Sequence, residues 1–243
     1  MKNIFLLIIL SAVVFSSCTR QTIEPGPDDL GYDFYPLETG KYVMYKVDSV
    51  YFNDFTRTND TVSLEVRDEI GESFVDNQGQ ESYIVNRTKR YTSSAAWASD
   101  HTYYVTRDNF KLEWQENNLR FIKMIYPVKV NGKWFGNSYL STHTNPEIRW
   151  YDNWEYRYTD VQSAFNSGFK TYPITHTIYQ SSNQEAEGDP NNPNSYSAFS
   201  YGQETYAKGV GMVFKELTRW EFQPSGNNWR KGFSVTMRAF NNN

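Results

Sequence analysis

The chain has 243 residues, of which 39% are hydrophobic, 21% charged and 17% aromatic, with a net charge of −4 from 24 basic and 28 acidic side chains. That length suits one domain with a sizeable core, and a load of 19 Tyr, 16 Phe and 7 Trp argues against disorder. One Cys excludes an intramolecular disulfide framework and a multi-Cys zinc site, and a pI near 5.5 with no basic block argues against a nucleic-acid partner.

The first segment is an address. Lys2 supplies a positive start, and Ile4 to Val14 form an apolar run too short to span a bilayer comfortably. Residues 1–17 therefore read as a secretory signal. Ser16 and Ser17 before Cys18 resemble a bacterial lipobox, although Phe15 stands where most lipoboxes carry Leu. The resemblance implies that Cys18 is diacylated, that the signal is cut before it and that the new amino group is acylated. The partner would then be a membrane, with each buried methylene adding about 0.8 kcal/mol to anchoring. The expected location is the outer membrane, with its periplasmic and cell-surface sides both open. Residues 18–34 hold Pro25, Gly26, Pro27, Asp28 and Asp29 with no apolar period, and read as the lipidated Cys and a flexible tether.

Residues 35–243 read as a single β-rich domain. Leu and Ala are sparse beyond Cys18, and Tyr is abundant. Alternation recurs at Tyr42–Val47, Val62–Val66 and Phe233–Ala239, while Leu119–Tyr126 is more uniformly apolar. The runs end at Asp76-Asn77-Gln78-Gly79, Asp108-Asn109, Glu116-Asn117-Asn118, Asn131-Gly132 and Pro224-Ser225-Gly226-Asn227, all suited to tight hairpins. The predicted fold class is all-β and mainly antiparallel, with little helix. It is a curved meander forming a half-barrel, a barrel or a sandwich. Trp150–Phe165 fits either a short helix or a strand. Glu185–Ser195, with two Pro and one Gly, reads as a long exposed loop.

Catalytic motifs are missing from this pattern. His101, His143 and His176 show no metal-ligand spacing, and His101 and His176 read as surface or sheet-face residues. Gly71-Glu72-Ser73 fails as a nucleophile elbow at Val75, and Gly209-Val210-Gly211 fails as a dinucleotide fingerprint at Phe214. No cofactor and no metal is expected. The acids Glu185, Glu187 and Asp189, with Asn191, could hold calcium, but a solvated loop explains them better. The aromatics are more suggestive. Trp134, Trp150, Tyr151, Trp154, Tyr156 and Tyr158 crowd one third of the chain and could stack on a glycan or line an apolar ligand's cavity. Filling a sheet core is the competing role for each ring.

Two patches carry a family resemblance. One is Tyr35-Pro36-Leu37-Glu38-Thr39-Gly40 with Tyr42 and Tyr45. The other is Tyr206-Ala207-Lys208-Gly209-Val210-Gly211-Met212-Val213. With Asn118–Lys123 and Trp134, they resemble a group of uncharacterised Bacteroidota lipoproteins. Val43 or Met44 stands where many members carry Trp. The resemblance brings no catalytic residue. Pro36, Gly40, Gly209 and Gly211 read as structural. In architecture, a curved sheet opening an apolar face is similar to the LolA and LolB lipoprotein carriers. The expected function is a non-enzymatic, lipid-anchored envelope protein that binds a ligand or a protein partner. The alternatives are a carbohydrate-binding accessory of a glycan-uptake system and a structural scaffold of an envelope complex.

Overall fold

The computed structural model describes Gly26 and residues 30–182, 186–225 and 228–243. The expected signal segment, Cys18, most of the expected tether and Glu185 lie outside the described residues. The first described strands form a long meander: β1 (Tyr42–Asn53), β2 (Thr58–Val75), β3 (Glu81–Arg90), β4 (Ala98–Arg107), β5 (Lys111–Glu116) and β6 (Leu119–Ile125). A second meander holds β7 (Lys133–Trp134), β8 (Glu155–Asn166), β9 (Thr171–Ser181), β10 (Ala186–Glu187), β11 (Ser197–Ala207), β12 (Gly211–Phe222) and β13 (Arg230–Asn242). Asn117 and Asn118 take φ of 49° and 62° in the β5–β6 turn, as their residue type allows. At the next hairpin back, the Asp108 carboxylate accepts the amides of Phe110 and Lys111 at 2.7 and 2.8 Å.

All pairings are antiparallel, and β13 returns to β1 to join the two meanders into one sheet. The order runs β6-β5-β4-β3-β2-β1-β13-β12-β11-β9-β8-β7, with β10 paired to β11 off this path. The sheet is a nearly closed barrel. Its two ends meet at β6. The Ile122 amide donates to Gly136 O at 2.8 Å, and the Trp134 indole N–H donates to Ile122 O at 2.7 Å. The Tyr158 hydroxyl donates to Ile125 O at 2.7 Å and accepts the Ile125 amide at 3.1 Å. Side chains thus satisfy edge groups that a longer β7 would have paired. Gly136 is required here, because a Cβ would lie 2.4 Å from the Tyr156 ring.

Positive φ at Asp160 and Gln162 marks a bend in β8, where its register with β9 shifts. The bend lays the β8–β9 hairpin against β12 and β13. Phe165 packs on Phe214, and the Ser167 hydroxyl donates to Ala239 O at 2.6 Å.

The chain enters at the end where β1 begins, hereafter the tether end. Residues 30–34 were expected in the tether, but they pack on the barrel. Phe34 is buried, Val128 N donates to Leu30 O at 3.0 Å, and Arg107 reaches Tyr32 O and Tyr35 O. An apolar Phe at the foot of the tether gains more from burial than from solvation. Gly209 (φ 74°) donates its amide to Asp33 O at 2.7 Å, and Gly211 (φ 108°) approaches the Tyr35 ring. Gly40 (φ 88°) follows Pro36 in the turn that leads into β1, donating to Ile70 O at 2.8 Å. The two motif patches therefore meet at one end of the barrel.

The interior combines an aromatic and aliphatic core with charges. Val85, Tyr103, Val105, Leu112, Met124, Trp154, Tyr156, Tyr158, Ile178 and Tyr206 belong to one buried cluster; Val43, Tyr45, Val47, Val66, Val213 and Met237 belong to a second. His176 corrects an expectation. It is fully buried rather than a surface residue, caged by Phe34, Tyr158 and Tyr206 at ring distances of 4.4, 5.0 and 5.6 Å. Alternation assigns a residue to a face, and closure of the barrel turned that face inward.

Candidate functional site

Strand direction places the β1–β2 turn, the last residues of β12, the 135–154 segment and residues 186–196 at the end opposite the one where the chain enters. Ladder register assembles a mouth there. Tyr51 faces Phe233, Phe233 faces Arg219, and Arg219 faces Ser200. One row further out, Glu221 faces Ala198, which faces Glu187. Alternation gives Glu221, Arg219, Leu217 and Lys215 one common face of β12, the face that leads down to Glu204.

Trp150 closes this mouth from the side. It belongs to a single 3-10 turn, Arg149–Tyr151, inside the 135–154 segment. Its indole stacks on Tyr151 at 3.6 Å and meets Trp154 and Phe233 edge-on at 5.5 and 6.0 Å. The Trp150 N–H donates to Glu147 O at 3.1 Å, and the Arg219 guanidinium lies 5.7 Å from its ring. The segment is pinned from below. Asn137 donates to Tyr151 O at 3.0 Å and accepts the Tyr156 hydroxyl at 2.8 Å. The result is an open cleft of about 470 Å³, lined by Trp150, Tyr196, Phe199 and Trp220 with Arg149, Arg219, Glu187 and Glu221 among its polar groups. Phe199 and Trp220 stack at 6.0 Å on the opposite, outer face of β11 and β12, and border the cleft from outside the mouth. Flat rings beside guanidinium and carboxylate groups suit a ligand with both apolar faces and hydrogen-bonding edges.

Below the mouth, charge replaces a carrier cavity. Lys123 pairs with Glu204 at 2.7 Å, Lys215 stands 3.5 Å from the same carboxylate, and the Tyr206 hydroxyl donates to it at 2.8 Å. Arg87 forks onto Asp68 with two bonds of 2.6 Å, and the Trp114 indole donates to Glu116 at 2.9 Å. Burial pushes the Glu204 carboxyl up, but Lys123 and Lys215 outweigh it and hold the group down at about 2. Burial also raises Glu116, and the same two lysines bring it below the ordinary carboxylate range. The enclosed cavity beside this network measures about 30 Å³, room for a water rather than an acyl chain. A LolA-like apolar hollow is not what fills this space.

The six aromatics singled out in sequence divide. Trp154, Tyr156 and Tyr158 are 1, 1 and 2% exposed and form core, which corrects their reading as ligand-facing rings. Trp134 closes the barrel seam, Tyr151 backs Trp150, and Trp150 alone of the six lines the mouth cleft. Sequence reading missed Tyr196, Phe199, Arg219 and Trp220. Register brings Arg219 to Trp150, whereas Phe199 and Trp220 alternate to the outer face of β11 and β12 and Tyr196 lies just before β11. Glu187 reaches the cleft, whereas Asp189 turns back to accept the Asn191 amide at 2.9 Å. Among the described residues no three His, Cys, Asp or Glu side chains group as metal ligands.

No family model matches the sequence, and no curated protein matches it. Among solved structures, the chain is similar to a protein from Bacteroides fragilis described as exported and of YmcC-like fold. The TM-score is 0.39 with 10% identity, covering 86% of this chain and 98% of that one. A protein from Parabacteroides distasonis described as a lipoprotein gives a TM-score of 0.35 with 10% identity, again over 86% of this chain and 98% of that one.

Proposed function

We propose that this protein is a non-enzymatic, lipid-anchored binding protein of the outer membrane, holding its ligand at the barrel mouth. The mouth cleft around Trp150 and Arg219 carries the reading, because it lies at the end away from the tether and so faces away from an anchor at Cys18. The interior acids support a binding role over acid–base chemistry. Glu204 is neutralised by lysines and held far below neutral pH, the opposite of a poised general acid. Labelling cells with palmitate tests the anchor. Wild-type protein is expected to carry label and fractionate with the outer membrane, and Cys18→Ser to lose both. Label retained by Cys18→Ser would remove the anchor from the account.

The composition of the cleft favours a carbohydrate ligand as a second reading. Rings of Trp150 and Tyr196 beside two arginines can stack on sugar faces while hydrogen-bonding hydroxyls. On a glycan array, retention by wild type and its loss in Trp150→Ala and Arg219→Ala is the expected result. No retained glycan would leave a different ligand class for the mouth.

A further inference from the structure

A second cleft lies on the outer surface of the barrel wall, on β2 to β6. Register builds it from two rows. Phe74 faces Ser82, Ser82 faces Thr106, and Thr106 faces Glu113. The neighbouring row runs Ile84, Tyr104, Gln115 and Arg120. Alternation along β4 sets Tyr104 and Thr106 opposite Tyr103 and Val105, which are core, so both rows face outward. Ser82 and Thr106 are the small residues at the centre, and their hydroxyls bond to each other at 2.5 Å. Large side chains stand on either side of them, so the surface is dished. The turn Asp76–Gln78 adds a rim, with Gln78 Oε1 accepting from Arg120 at 3.4 Å. The cleft measures about 420 Å³, within the range that holds small molecules.

The walls differ chemically. On one side Phe74 and Tyr104 meet edge-to-face at 5.6 Å, yet remain 37 and 40% exposed. On the other, the buried Glu113 carboxylate is fixed by Arg120, by Lys111 at 2.5 Å and by the Tyr139 hydroxyl at 2.9 Å. Gln115, Asn77 and Gln78 add amides. We infer that this cleft is a binding site for a neutral saccharide of one or two rings, separate from the barrel mouth. The aromatic pair offers faces for sugar C–H groups, and the amides and Arg120 offer partners for ring hydroxyls. Charge fits a neutral ligand, because Asp76 and Glu113 are balanced by Arg120 and by Lys111, both of which pair with Glu113. An added peptide strand is excluded because β3, β4 and β5 are each paired on both sides.

Titration calorimetry of the full chain in detergent tests this, with maltose, cellobiose, lactose, mannobiose and N,N′-diacetylchitobiose as probes. At least one is expected to bind, with affinity falling by about tenfold or more in Tyr104→Ala and in Gln115→Ala. Phe55→Ala, a residue exposed in the distant β1–β2 turn, should leave it unchanged. These are surface positions, and a thermal melt of each variant checks that the barrel persists. Absence of binding across the five probes overturns the inference. So does binding that survives Tyr104→Ala, including binding lost instead in Trp150→Ala, which would send the sugar to the mouth.

Discussion

Replacing His176 with Phe should remove much of the protein's sensitivity to mild acid. Burial lowers the His176 pKa from 6.5 to about 3, and neither ring nitrogen has a hydrogen-bond partner among the described residues. The unfolded chain therefore takes up a proton that the folded chain refuses. The folded pKa lies below the unfolded one, so the stability is intact above about pH 6.5 and drains away as pH falls toward 3. The slope is about 1.4 kcal/mol per pH unit, so about 3 kcal/mol is lost between pH 7.5 and 4.5. The Glu204 contribution disappears only as pH falls below its unfolded value, from about 4.5 toward 2, so it barely enters this window. His176→Phe suits the cage of Phe34, Tyr158 and Tyr206 and removes two unpaired buried nitrogens, so stability at pH 7.5 should hold or rise. Urea unfolding at pH 7.5, 6.5, 5.5 and 4.5 gives the difference between wild type and variant directly. A difference that widens in the variant's favour toward acid is expected. Parallel curves would refute the reasoning, since they would mean that His176 protonates equally in both states.

Three further outcomes follow from the same packing. Glu204→Ala leaves Lys123 and Lys215 with only the more distant Glu116 as a buried counter-charge and should cost about 3 kcal/mol in chemical denaturation at pH 7. Trp154→Ala should cost about 3–5 kcal/mol by the same assay, and the half-buried Trp150→Ala clearly less; equal losses would contradict the division into core and mouth. Gly136→Ala drives a methyl group into the Tyr156 ring and should lower stability by about 1–3 kcal/mol, seen as an earlier thermal transition.

Much of the fold was legible because strand alternation and turn chemistry are local. Tyr42–Val47 and Phe233–Ala239 read as strands from their own residues, and Asn117 and Asn118 read as a turn because Asn tolerates the left-handed region. Choosing a barrel required information that is not local. Tyr45 meets Ala239 across nearly the whole chain, and the seam depends on Trp134 and Tyr158 reaching β6. Composition also treats all rings alike. Trp150 and Trp154 are four residues apart, yet one lines the cleft and the other is core, because the 3-10 turn ends at Tyr151 and the chain then turns into the barrel ahead of β8, which begins at Glu155. Arg219 joins the site only through its partners Ser200 and Phe233, tens of residues from Trp150 at their nearest on the chain.

The measurement closest to the central claim is native mass spectrometry of the protein released gently from the cells that make it. The account predicts a bound small molecule on the wild-type chain that is absent from the Trp150→Ala, Arg219→Ala double variant. A wild-type protein that emerges with no bound small molecule in the mouth, or a bound molecule retained undiminished by the double variant, would contradict a ligand site at the barrel mouth.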